Sequence, residues 1–145
     1  MSNALIVYAT RGGNTKNIAE IIAEGIRLTG ADADIMNANT VKTEDIFEGY
    51  DAYVFGSATY HGEMMQSMKT LLFLAEKASL SEKIGASFGA YGWSGEASYR
   101  IFETMENIFN MNMVSGPLRL KSSGLGGAKE TAQAYGREIG EKIEG

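Results

Sequence analysis

Three stretches of this chain run apolar with no polar alternation: residues 4–9 (ALIVYA), 52–56 (AYVFG) and 84–91 (IGASFGAY). A strand with one wet face alternates apolar and polar side chains, so these three are expected to be covered on both faces. The cover is written between and after them as helical stripes: Ile18, Ile21, Ile22, Gly25 and Ile26, closed by Gly30; Met65, Met68, Leu71, Leu72 and Ala75; Ile101, Phe102, Met105, Ile108 and Phe109; and Ala132, Tyr135, Ile139 and Ile143. Residues 33–37 read as a weaker second strand, and residues 43–48 as no more than a short helical turn. Residues 112–120 read as a fifth strand, and Gly116-Pro117 inside it predicts a place at the sheet edge. Strands alternating with helices in this way predict an α/β domain on a five-stranded parallel sheet. The 145 residues, with a lone Pro117 and no low-complexity tract, are expected to form one domain over 1–145.

In such sheets ligands sit outside the carboxyl ends of the strands, where the strand order switches. The loops to inspect therefore follow the first, third and fourth strands. After the first come Thr10, Arg11, Gly12, Gly13, Asn14 and Thr15, immediately before a helix. Backbone N–H groups at a helix start, aided by the dipole, make an anion site. The two glycines let the backbone approach a ligand closely, and Thr10, Asn14 and Thr15 add side-chain donors. The stretch lacks the Gly-Lys-(Ser/Thr) of a Walker A loop and the G-x-G-x-x-G of a dinucleotide site. Taken alone it also reads as a plain strand-to-helix turn capped by Asn14 or Thr10.

After the third strand come Ser57, Ala58, Thr59, Tyr60, His61 and Gly62. They offer a backbone edge and an aromatic ring to a flat ligand, with Tyr60 or His61 as the stacking group. After the fourth come Tyr91, Gly92, Trp93, Ser94, Gly95, Glu96 and Ala97. A tryptophan between glycines has little local core to bury it, which points to stacking on a ligand.

Composition removes several alternatives. With no cysteine, disulfides, thiolate catalysis and iron–sulfur ligation are out. One histidine, His61, cannot build a multi-histidine metal centre. A net charge of −5 argues against nucleic acid and leaves room for basic protein partners steered by an acidic field. The first residues lack a signal-peptide pattern and no apolar run is long enough to span a membrane, so a cytoplasmic location is expected.

Thr10-Arg11-Gly12-Gly13-Asn14-Thr15 resembles the phosphate loop of the flavodoxin family, (T/S)-x-(T/S)-G-x-T. Gly12 is the departure, since it lacks the hydroxyl usual at the third position. Arg11 beside it is either a charge-assisted substitute or a solvated side chain. GSATYHGEMM and GAYGWSGEA are most similar to the flavodoxin domain of flavodiiron proteins, and the resemblance runs from residue 5 to about residue 143. It implies a doubly wound three-layer sandwich with strand order 2-1-3-4-5 and FMN at the three loops. It also implies Trp93 on the outer face of the flavin and a peptide at Gly62 that flips to accept the N5 proton of the semiquinone. The fifth strand carries no long insertion, as in short-chain members, and the di-iron ligands of the longer proteins are absent.

The implied function is low-potential electron transfer by FMN between redox partner proteins (reductases, ferredoxin-linked or other electron-transfer enzymes), with no protein catalytic residue and a monomer sufficing. Glu63 and Glu96 on the loop rim would help partners dock. The rival is an FMN-dependent NAD(P)H:quinone or small-acceptor reductase. A signalling receiver domain shares the fold but needs acidic residues where Thr10-Arg11 and Ser57-Ala58 stand.

Overall fold

The computed structural model describes residues 2–91, 95–121 and 126–144. The chain begins with β1 (Asn3–Ala9), α1 (Asn14–Arg27) and β2 (Asp32–Asn37), then two short 3-10 turns, Ala38–Thr40 and Glu44–Phe47. β3 (Ala52–Ser57) leads into a small hairpin, β4 (Thr59–Tyr60) and β5 (Glu63–Met64), and then into α2 (Gln66–Lys77). β6 (Ile84–Ala90), α3 (Glu96–Glu103) and a π turn at Thr104–Ile108 follow. The fifth strand is split into β7 (Asn112–Met113) and β8 (Leu118–Leu120), and α4 (Ala128–Glu144) completes the order.

The main sheet is parallel, in the order β2-β1-β3-β6, with β7 and β8 both paired to β6 at its outer edge. This is the doubly wound topology expected from the sequence. Side chains of β1 alternate between two cores, which explains why it shows no polar alternation. Ile6 and Tyr8 pack with Ile18, Ile22 and Ile26 of α1 and Tyr135 and Ile139 of α4. Leu5 and Val7 pack on the other face with Met68 and Leu71 of α2 and Ile101 of α3. β3 does the same, with Val54 on the first face and Tyr53 and Phe55 on the second.

Gly116-Pro117 breaks the fifth strand at the edge, as expected. The break is held from behind by α4: the buried Tyr135 hydroxyl lies 3.0 Å from the carbonyl oxygen of Ser87 in β6 and 2.9 Å from that of Gly116. Burial pushes the Tyr135 phenol far above its ordinary value, so it stays a donor.

The structure departs from the sequence pattern in two places. Ile108, which the apolar spacing puts on a buried stripe, is exposed. Beyond Glu103 the helix widens into the π turn, which shifts the phase of the side chains that follow. The segment after β3, which the sequence presents as a loop, folds into the β4–β5 hairpin.

At Gly25 and Gly136, α1 and α4 approach so closely that no side chain fits between them. A Cβ at Gly25 would lie 2.1 Å from the Gln133 carbonyl oxygen, and one at Gly136 would lie 2.1 Å from that of Ile22. Helix propensity favours alanine over glycine by about 1 kcal/mol, but the obstacle is backbone, which no rotamer relieves. Gly136→Ala is therefore expected to destabilise the chain by about 1–3 kcal/mol in urea unfolding. Gly126→Ala, with open space around its Cβ, is the near-neutral control.

Candidate cofactor site

β1 ends at Ala9, and the next turn is shaped by one side chain and one glycine. The Thr10 hydroxyl oxygen accepts the Gly13 N–H at 2.9 Å. Gly13 sits at φ 95°, the left-handed region where glycine is favoured. Its carbonyl then accepts the Asn17 N–H at 3.0 Å, which starts α1. The stretch is a strand-to-helix turn, but its cap is Gly13 and neither Asn14 nor Thr10, and no side chain caps α1. The first turn of α1 carries no acidic residue, so nothing there opposes the dipole.

Thr15, in that first turn, is fully buried. Among the described residues its Oγ1 is the one buried side-chain polar atom without a hydrogen-bond partner. Buried polar atoms are paired in the great majority of cases, so an orphan beside a helix start points to an absent ligand atom.

A cleft of about 160 Å³ opens at this point. Thr10, Gly12, Asn14 and Thr15 line it from the first loop, Ala58 and Thr59 from the second, Ala90 and Tyr91 from the end of β6, and Lys121 from the end of β8. No heavy atom comes within 4 Å of a Cβ built on Gly12, so the cleft has room there. Gly12, read as a loss of one hydroxyl, is thus also a gap in the wall.

The second loop is braced by hydroxyls. Ala58 N–H donates to the Ala9 carbonyl at 3.0 Å, which ties it to the first loop. Ser57 Oγ accepts the Met65 N–H at 3.0 Å. Thr59 Oγ1 accepts the Ala97 N–H at 3.1 Å, which fixes the hairpin to the start of α3. His61 at φ 52° and Gly62 at φ 74° form the tip, both left-handed, as in the primed turns that suit hairpin twist. Glu96 of α3 reaches this tip, with Oε2 3.3 Å from where a Gly62 Cβ would stand. Glu63 is not a free rim charge: it lies 3.1 Å from Lys69 and 3.7 Å from Arg100.

Tyr60 is half exposed, at 48 %. The Arg11 guanidinium lies 4.1 Å over its ring, and the His61 ring meets it edge-on at 4.3 Å between centroids. A second hollow of about 250 Å³ adjoins it, lined by Arg11, Tyr60, Met64 and Met65 among others. Arg11 therefore lines the ring side of the site and not the anion cleft. Of the third loop, Gly92, Trp93 and Ser94 lie outside the described residues. Tyr91 lines the cleft, its N–H bonded to the Leu120 carbonyl at 3.0 Å. Gly95 caps α3, which begins with Glu96 and Ala97.

Sequence reasoning missed Lys121 and Ala90. The signal was available in part, because a strand that ends beside β6 must also end at the site edge of the sheet.

A parallel doubly wound sheet with a polar cleft beside an exposed aromatic at the carboxyl ends of its strands places the chain in the flavodoxin-like fold class. The flavodoxin family model matches residues 6–138, and the chain belongs to the flavodoxin family, whose cofactor is FMN. The solved structure of a flavodoxin from the domain Archaea superposes with a TM-score of 0.92 at 31% identity, covering 99% of both chains. A flavodoxin of Clostridium beijerinckii is 30% identical over 139 residues, 95% of this chain and 96% of that one. A type A flavoprotein of Rhodobacter capsulatus is 28% identical over 147 residues, 97% of this chain but 33% of that protein. The chain spans only 18% and 16% of two diflavin flavoproteins that it also matches. No helix among the described residues is long and apolar enough to cross a membrane.

The residues present fit FMN: an orphaned buried hydroxyl, a helix start without acidic side chains and an exposed ring stand along one sheet edge. Thr15→Val removes the orphan hydroxyl and keeps the shape. Ligand-free, this variant is expected to be more stable by about 1–2 kcal/mol in urea unfolding, because a buried unpaired hydroxyl is costly. Its affinity for FMN, followed by flavin fluorescence, is expected to fall.

Proposed function

We propose that this chain is an electron carrier that holds one FMN at the carboxyl ends of β1, β3 and β6 and exchanges electrons with partner proteins. The observation that carries this reading is the fully buried, unpartnered Thr15 hydroxyl at the start of α1. It asks for an acceptor atom in the cleft, and a phosphate oxygen supplies one.

FMN supplies one- and two-electron redox chemistry when bound. The chain's part is binding and electrostatics. Thr10, Asn14 and Thr15 would take the phosphate with the first N–H groups of α1. Ala58, Thr59 and Tyr91 would flank the linker between phosphate and ring. Tyr60 would stack on one ring face and Trp93 on the other, which favours a neutral planar ring over an anionic one. The His61-Gly62 tip would bring backbone to the ring edge. The net charge of −5 disfavours a further negative charge on the ring and lowers the second potential. None of these roles asks for a general acid, base or nucleophile.

The chain belongs to a family of carriers, while its longer relatives carry additional sequence. The carrier reading supposes that electrons arrive through a separate protein. Purified protein is expected to be yellow, to release FMN on denaturation and to take up electrons in two separate one-electron waves in a redox titration. It is expected not to oxidise NAD(P)H unless a reductase is added. Colourless protein that takes up no added FMN, or direct hydride transfer from NADPH, would overturn the reading. Gly12→Ser is expected to bind FMN at least as tightly as wild type in a fluorescence titration, because the new hydroxyl has space to point into the cleft.

A further inference from the structure

The anion cleft lies in a chain of net charge −5. A phosphate monoester adds a charge of about −1.5 to −2 near neutral pH. Hydroxyls and a helix dipole offset part of that repulsion, and Gly12 leaves the cradle one hydroxyl short. Among the described residues that line it, Lys121 is the one that carries a formal charge, and none is acidic.

We propose that Lys121 supplies the positive charge that anchors the phosphate end of the cofactor in this chain, in place of the hydroxyl absent at Gly12. The proposal rests on the FMN reading above and goes beyond it by assigning a residue outside the three loops. Four observations carry it. β8 ends at Leu120, whose carbonyl accepts the Tyr91 N–H at 3.0 Å, so Lys121 starts at the cleft wall. Among the described residues no carboxylate forms an ion pair with Lys121. The orphan Thr15 hydroxyl shares the same cleft, so lysine and hydroxyl face one ligand. The other candidate cation, Arg11, lies over Tyr60 and lines the neighbouring hollow instead. An ammonium group is a compact point charge on a flexible stem, which suits a site whose directional bonds come from hydroxyls and N–H groups.

The test compares two flavins that differ only in the phosphate. The 145-residue chain is stripped of flavin and titrated with FMN and with riboflavin at low and high salt, followed by quenching of flavin fluorescence. Lys121→Met is expected to lose about tenfold in FMN affinity and to leave riboflavin affinity unchanged. Lys121→Arg is expected to retain most FMN affinity. The salt dependence of FMN binding should flatten in Lys121→Met, because the screened attraction is gone. Equal losses for both flavins, or a loss for neither, would overturn the assignment while leaving the FMN reading intact. A wild-type chain that takes up neither flavin would overturn the FMN reading and this assignment with it.

Discussion

The position of the site follows from the burial of β1. This strand is paired on both edges, to β2 and β3, and covered on both faces. Its peptide groups have sheet partners on both edges, and each side chain from Ala4 to Ala9 joins one of the two cores. Parallel neighbours cannot be joined by hairpins, so the returns cross over outside the sheet, through α1 after β1 and α2 after β3, and the strands all end at the same edge. The register sets Ala9 beside Ser57 and Gly56 beside Phe88. Loops that are far apart in sequence thus begin as neighbours. Their convergence needs no affinity between the loops themselves. The close α1–α4 contact through Gly25 and Gly136 holds the helix that presents the anion cradle.

The parts of the molecule that were legible in the sequence are those where one local pattern admits one environment. Unbroken apolar runs such as residues 4–9 fit a doubly covered strand, and Pro117 fits an edge. The tight turn before α1 was legible because its glycines admit the left-handed backbone that Gly13 adopts and Thr10 accepts the Gly13 N–H. Ile108 was not legible, since its phase depends on a π turn, and periodicity alone gives no sign of one. The β4–β5 hairpin was missed because its strands have two residues each and His61 stands where the usual signal is asparagine or glycine. Lys121 was missed for a tertiary reason. It stands at the end of a broken edge strand, outside the loops after the first, third and fourth strands, and only the pairing of β8 with β6 brings it to the cleft.

The hydroxyls of the site divide into two groups. Thr10, Ser57 and Thr59 each accept a backbone N–H from another part of the site: Gly13, Met65 and Ala97. Their oxygens hold the loops in place before any ligand arrives. Thr15 holds nothing and is fully buried. A site in which the bracing bonds are made and one buried donor waits has already met most of its ordering cost. Binding then loses less entropy to loop ordering, which is how preorganisation raises affinity.

The ring side of the site follows the opposite logic. Tyr60 is half exposed with Arg11 on its ring. An exposed cation–π contact is worth about 0.5–1 kcal/mol. An aromatic ring stacked on Tyr60 gains about 0.5–1.5 kcal/mol from the pair, and the apolar area covered adds roughly 25 cal/mol per Å². On the proposed FMN reading a flat ligand would win that comparison, and Arg11 would be a displaceable cover and not a competitor. In the structure it shields part of an exposed ring from water. The two cations near the site therefore differ in kind. Arg11 is held by an aromatic face and is cheap to move, whereas Lys121 lines a cleft with no carboxylate among its described lining residues, where a phosphate would be its first strong counter-charge.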